Sequence, residues 1–275
     1  MKITFLYLTI FALFINSCGP NVLSGLGSQT SDEYYLEEAT KANNSQNYDY
    51  ALDVLLNKLS AGAQARASTK ELLASAYAGK CGFNFVEYVT ALAESTGSPF
   101  NVVMQPFVQV AAAPEYCLLA LQTIDTIGTP SQRTTNQNTF SAITGLVLMG
   151  ISLRAYADKD GTDNNGDGLM DVDNMVCQAG QVSDDQMNDI IVGYGYFVTN
   201  FAYIGAMLGN ATSGLDDSIS MCTSIPTADC DVTDKNSVNS DTRDIMRRLL
   251  NTTNYGIGDE QGDDAMEIAA ACPGT

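Results

Sequence analysis

The chain has 275 residues, with 13 Lys and Arg against 32 Asp and Glu, a formal net charge of −19, and neither His nor Trp. Without His it can have no Ser-His-Asp or Cys-His catalysis and no imidazole metal ligand. The negative surplus repels phosphate backbones, which argues against a nucleic-acid partner, while 45% apolar residues suffice to bury a core.

In chain order, Met1-Lys2 is a one-charge start and Ile3 to Ile15 is apolar except for Thr4, Tyr7 and Thr9. The run fits the h-region of an export signal and falls short of the ~20 residues that span a bilayer. Ile15-Asn16-Ser17-Cys18 follows. This segment resembles the lipobox of bacterial lipoproteins: an aliphatic residue, a variable one, a small one, then the Cys that is lipidated. The resemblance implies cleavage before Cys18, acylation of Cys18 with palmitate-type chains, and, from Gly19 beside it, the outer membrane, facing the periplasm or the cell surface. Each buried CH₂ contributes ~0.8 kcal/mol, so several acyl chains make a stable membrane anchor. The alternative is an ordinary secretory signal followed by a chance Cys. Residues 19–31, rich in Gly and Ser and without charge, read as a tether.

From residue 32 onward helix signals dominate and alternating strand patterns are scarce. The predicted class is all-α, built from antiparallel helix pairs in a single domain over 32–275. Asp32 and Glu33 favour a helix start running to about Asn44, and a second helix is expected over 48–59. Asn47-Tyr48-x-x-Ala51-x-x-x-Leu55, with Ala39 at the small position of the preceding helix, resembles tetratricopeptide repeats. That likeness, over about 32–95, implies an α-solenoid-like protein-interaction surface; generic helix pairs are the competing reading. Ser68-Thr69-Lys70-Glu71 reads as a capping box before Leu72, Leu73, Ala76 and Tyr77. Further helices are expected near 84–94, 99–111, 114–127 and 138–157. Ser98-Pro99 and Ala113-Pro114 put Pro where a first turn tolerates it.

The most chemical motif lies at 158–174, DKDGTDNNGDGLMDVDN. Asp163-x-Asn165-x-Asp167-Gly168 places oxygen ligands on alternate residues before a Gly that permits a sharp turn. A hard cation such as calcium takes 6–8 oxygens at ~2.3–2.6 Å. The expected ligands are Asp163, Asn165, Asp167, the Leu169 carbonyl, Asp171 and Asp173, with Asp158 or Asp160 assisting. The pattern resembles EF-hand loops, but Asn174 stands where their closing Glu would be. Asp171-Val172-Asp173-Asn174 with Cys177 resembles thrombospondin type 3 repeats, which implies a structural calcium site. A solvated acidic turn is the alternative.

Ser183-Asp184-Asp185-Gln186 is a second capping box, opening a helix expected over 183–209. Ile190 to Leu215 carries no charge over 26 residues and includes Gly205-x-x-x-Gly209. Its interspersed Gly, Asn and Tyr, with acidic flanks and no basic ones, favour a buried helix over a membrane span. Helices near 241–251 and 261–271 complete the set.

With Cys18 set aside, Cys81, Cys117, Cys177, Cys222, Cys230 and Cys272 are even in number, as suits disulfides in an oxidising compartment. Six Cys allow 15 pairings. Cys222–Cys230 is favoured because it brackets a short Pro-containing loop, and Cys81–Cys117 with Cys177–Cys272 would complete one such set. Buried free thiols are the alternative for some of them.

No G-x-S-x-G, S-x-x-K or phosphate-binding glycine loop occurs, so no enzymatic activity is expected. The expected role is a lipid-anchored envelope scaffold or accessory protein working with an envelope protein partner. Its competitor is a small-ligand carrier with an apolar cavity between helices 138–157 and 183–209. Tight packing there, with an open groove near 33–95, would favour the scaffold.

Overall fold

A computed structural model describes residues 30–94, 97–108, 110–159, 168–172, 175–204, 211–224, 226–260 and 265–272. Among these the protein is all-α, with twelve α-helices and no strand beyond an isolated Thr252–Glu260 bridge.

The first two helices form a hairpin. α1 (Asp32–Asn44) is capped by Ser31, whose hydroxyl accepts from the Tyr34 N–H, and Asp32 and Glu33 occupy its first turn. Gln46 turns the chain at φ 62, and α2 (Tyr48–Asn57) returns. Ala39 and Ala51 are wholly buried between them, so the backbones approach closely. The Asp32 carboxylate accepts from both N and Oγ of Ser60, at 2.8 and 2.6 Å. That ties the start of α1 to the short α3 (Ala61–Gln64).

α4 (Ala67–Cys81) begins earlier than the Ser68 capping box implied. Its N-cap is Arg66, with no side-chain cap, so Ser68 and Glu71 already lie within the helix. Glu71 instead accepts from Gln137 Nε2 on a distant helix. α4 packs on α2 and on α7 (Pro114–Asp125), while α5 (Phe85–Glu94) turns toward the 3-10 turn at Gln105–Phe107. α6 (Pro99–Met104) is shorter than the expected 99–111. Pro106 is the cause: it has no N–H to donate, and its ring clashes with the carbonyl four residues back, so the chain tightens into that 3-10 turn.

α8 (Thr135–Ala157) is buried on nearly every side and is the spine of the molecule. A reciprocal capping box of Thr134 and Gln137 starts it three residues before the expected 138. It is the one described helix long and apolar enough to cross a membrane, and 83% of its apolar stretch is buried inside the fold. α9 (Asp184–Asn200) opens on the expected Ser183–Gln186 box. It ends at Asn200 in a 3-10 turn, Phe201–Tyr203, so the uncharged 190–215 stretch is not one continuous helix; Gly205 and Gly209 lie outside the described residues. α10 (Ala211–Thr223) has no counterpart among the expected helices. α11 (Ser240–Leu250), capped by Asn239, and α12 (Ala265–Ala270) close the chain.

Two apolar clusters result. The smaller joins α1–α4 through Ala39, Leu52, Leu55, Ala63 and Ala76. The larger surrounds α8. The α4–α7 contact links them: Cys81 is bonded to Cys117, the Tyr77 and Tyr116 rings stack at 6.4 Å, and the Lys80 ammonium sits 4.4 Å over Tyr116. The other disulfides are Cys177–Cys272 and Cys222–Cys230. Cα separations of 5.2, 5.4 and 6.1 Å suit such bonds. In the chain-entropy account, the loops of 36, 95 and 8 residues restrict the unfolded chain by about 3.8, 4.7 and 2.5 kcal/mol.

Candidate functional site

Where α8 and α9 cross at Gly145 and Gly193, the described residues leave no space for a ligand. A Cβ placed on Gly145 would lie 2.7 Å from the Gly193 carbonyl oxygen, and one on Gly193 would lie 2.7 Å from the Gly145 oxygen and the Met149 nitrogen. The two backbones touch. Ile190, Tyr194, Phe197, Leu146 and Met149 fill the flanks and are all buried.

An open groove of about 390 Å³ lies at the N-terminal hairpin instead. Tyr48, Phe83, Phe85 and Phe140 supply its apolar walls, and Asn43, Asn44, Gln46 and Asn84 its uncharged polar rim. The local sequence explains each position. Tyr48 opens α2, and its ring lies against α4 at Gly79, where a Cβ would come within 2.2 Å of Tyr48 Cε1. Gly82, at φ +107, ends α4 and swings Phe83 outward. The Asn84 side chain accepts from the Val86 N–H at 3.2 Å and starts α5. Phe85 and Val86 are left 49% and 71% exposed. The Phe83 ring meets Phe85 and Tyr88 edge-on at 6.2 and 5.7 Å, which fixes the wall. Sequence reasoning expected an open groove near 33–95 but did not identify its lining. Phe140 comes from α8, far from the other three aromatics in sequence, and no local period connects them.

The acidic loop is visible at its base. Asp158 is wholly buried and its Oδ2 accepts from the Gly168 N–H at 3.0 Å. Asp171 Oδ2 accepts from the Lys159 N–H at 2.8 Å, and the Asp171 N–H donates to the Ala157 carbonyl at 3.0 Å. The loop therefore enters and leaves at one point. Gly168 has φ +90, the left-handed conformation expected of it. Asn101 Nδ2 donates to its carbonyl at 2.7 Å, fastening the loop to α6. Leu169 is exposed. Asp160, Asp163, Asn165, Asp167 and Asp173 lie outside the described residues, and among the described residues no group of three or more acidic or Cys side chains is placed to hold a metal ion. Cys18 also lies outside them.

The only basic cluster is structural. Arg247, 4% exposed at its side chain, donates to the carbonyls of Val176 and Val182 and to Asp184 Oδ1 at 3.0 Å, and Arg243 Nε lies 3.6 Å from the same carboxylate. It locks α11 to the start of α9 and offers no free anion site.

No family model matches the chain, and no curated protein or solved structure matches it.

Proposed function

We propose that the protein is a non-catalytic, lipid-anchored envelope scaffold. A partner protein would dock on the groove formed by α1, α2, α4, α5 and Phe140, and calcium in the 158–174 loop would act as a structural clamp. The observation that carries the reading is the contrast between the two places a ligand could go. The α8–α9 seam, where a carrier would need its cavity, has backbone against backbone. The groove has aromatic walls, among them the exposed Phe85, and a rim of amides without charge. Such a surface suits an apolar peptide or helix whose backbone also seeks hydrogen bonds. The Cys81–Cys117 bond and the α4–α7 aromatic stack hold the groove rigidly on the rest of the protein. The lipobox-like Ile15-Asn16-Ser17-Cys18 supports the address, and the even set of bonded Cys agrees with an oxidising compartment.

Site-specific photocrosslinking in the native envelope tests the docking face. A photoreactive phenylalanine replacing Phe85 should yield one discrete adduct, and the same probe replacing Leu169, which is exposed but lines no part of the groove, should not. Equal adducts from both positions, or none from Phe85, would remove the scaffold reading.

A further inference from the structure

The groove on α1, α2, α4 and α5 has a candidate occupant within the chain itself. None of its lining residues is charged, in a chain of net charge −19. Such a body repels an acidic segment, and a charge of either sign set against Tyr48, Phe83, Phe85 and Phe140 would lose hydration. The groove therefore suits an uncharged, apolar stretch whose backbone can bond the amides of Asn43, Asn44, Gln46 and Asn84.

Residues 19–31, GPNVLSGLGSQTS, meet that description. The stretch carries no charge, and its aliphatic side chains are Val22, Leu23 and Leu26. Gly25 and Gly27 flank Leu26 and would let the backbone come close to the amide rim. Of this stretch only Thr30 and Ser31 are among the described residues, and the place where it joins the fold sets its reach. Ser31 caps α1. That end is tied down, because Asp32 accepts from Ser60 and Glu33 lies 3.8 Å from Arg66. Asn43 and Asn44, at the other end of α1, belong to the groove. α1 has 13 residues, so at 1.5 Å per residue the two ends are about 20 Å apart. An extended chain covers that distance in about six residues, at ~3.3 Å each. Counted back from Ser31, Leu26 can reach the near edge of the groove, and Leu23 and Val22 can reach beyond it. A linker this short holds its segment beside the groove at an effective concentration on the order of millimolar.

We propose that residues 22–26 form a strap that fills the groove until a partner displaces it, with Val22, Leu23 and Leu26 against the aromatic walls. The inference rests on the reading of this groove as a docking face and adds its regulation. With Cys18 lipidated, the seated strap leaves about four residues, or ~14 Å of chain, between groove and membrane. Displacing it frees the whole of 19–31, so partner binding releases the body from the membrane surface.

The test uses the protein purified from its envelope in detergent micelles, without a partner. A photoreactive phenylalanine replacing Phe85 should crosslink within the same chain to residues 22–26, read by peptide mass spectrometry, and the same probe replacing Leu169 should not. V22S/L23S/L26S should lose the crosslink at an unchanged melting temperature. A fluorescently labelled peptide of residues 21–27 should bind that variant at least fivefold more tightly than it binds the unsubstituted protein, whose own strap competes. No crosslink to 22–26, a crosslink that survives the triple substitution, or a peptide that binds both proteins equally or neither would overturn the proposal. The two readings separate in the envelope: a partner adduct at Phe85 with no internal crosslink in the purified protein sinks the strap alone, and an internal crosslink with no partner adduct sinks the docking face alone.

Discussion

Tyr88 illustrates how single side chains are held here. Its ring stacks on Phe107 at 5.4 Å and meets Phe83 edge-on, yet its hydroxyl, buried at 3% exposure, has no partner among the described residues. Burial alone pushes its pKa up. The ring stabilises through packed area and quadrupole contacts, and the oxygen opposes it by lost hydration. Tyr88→Phe keeps every ring contact and removes the opposing term. It should raise stability by about 1 kcal/mol, or roughly 2–4 °C in melting temperature for a domain of this size, measured by thermal denaturation. A loss of that size would mean the hydroxyl is satisfied and this account of the α5 packing is wrong. Asp158 is the opposite case: a wholly buried carboxylate whose position is explained by the backbone N–H it accepts from.

At the scale of elements, what could be read from the sequence was what local chemistry decides. The Ser183–Gln186 box was legible because both reciprocal bonds lie within four residues. Pro99 and Pro114 marked true helix starts. Ser68 misled because Glu71, the other half of the apparent box, is used by Gln137 across the α4–α8 contact. The 99–111 helix was overextended because Pro106 acts inside it. α10 was missed because an uncharged run from 190 to 215 has no residue that marks the break after Asn200. The acidic 158–174 motif was legible as a pattern, and the structure describes only its base. Three hydrogen bonds pin the ends together, and α6 holds Gly168. Under the proposed calcium role, the affinity should be modest, about 10⁻⁴ M as in extracellular modules. Millimolar calcium should raise the melting temperature of the full chain, and D163N/D167N should abolish that rise without lowering the calcium-free value. An unchanged melting temperature in the unsubstituted protein would leave the loop as a solvated turn.

For the whole molecule, composition and helix periodicity sufficed for the all-α class. The disulfide pairing was only one reading among many, because Cys81 and Cys117 meet through the α4–α7 contact and Cys177 and Cys272 across 95 residues. An open groove near 33–95 was anticipated from the repeat-like helix pair, but its lining was not legible, because Phe140 joins it from α8. Arg133 is the only Lys or Arg between Lys80 and Arg154. An isolated cation in so acidic a chain marks a committed partner, here Asp125. The crossing geometry that unites these residues depends on glycines at 145 and 193, where side chains of any size would separate α8 from α9.

Export underlies the proposed role, and intact-mass spectrometry of the protein taken from its native envelope tests it most directly. The account predicts a chain beginning at Cys18, heavier by its acyl groups, with six hydrogens missing for the bonds 81–117, 177–272 and 222–230. A full-length, unacylated chain with seven free thiols would contradict it.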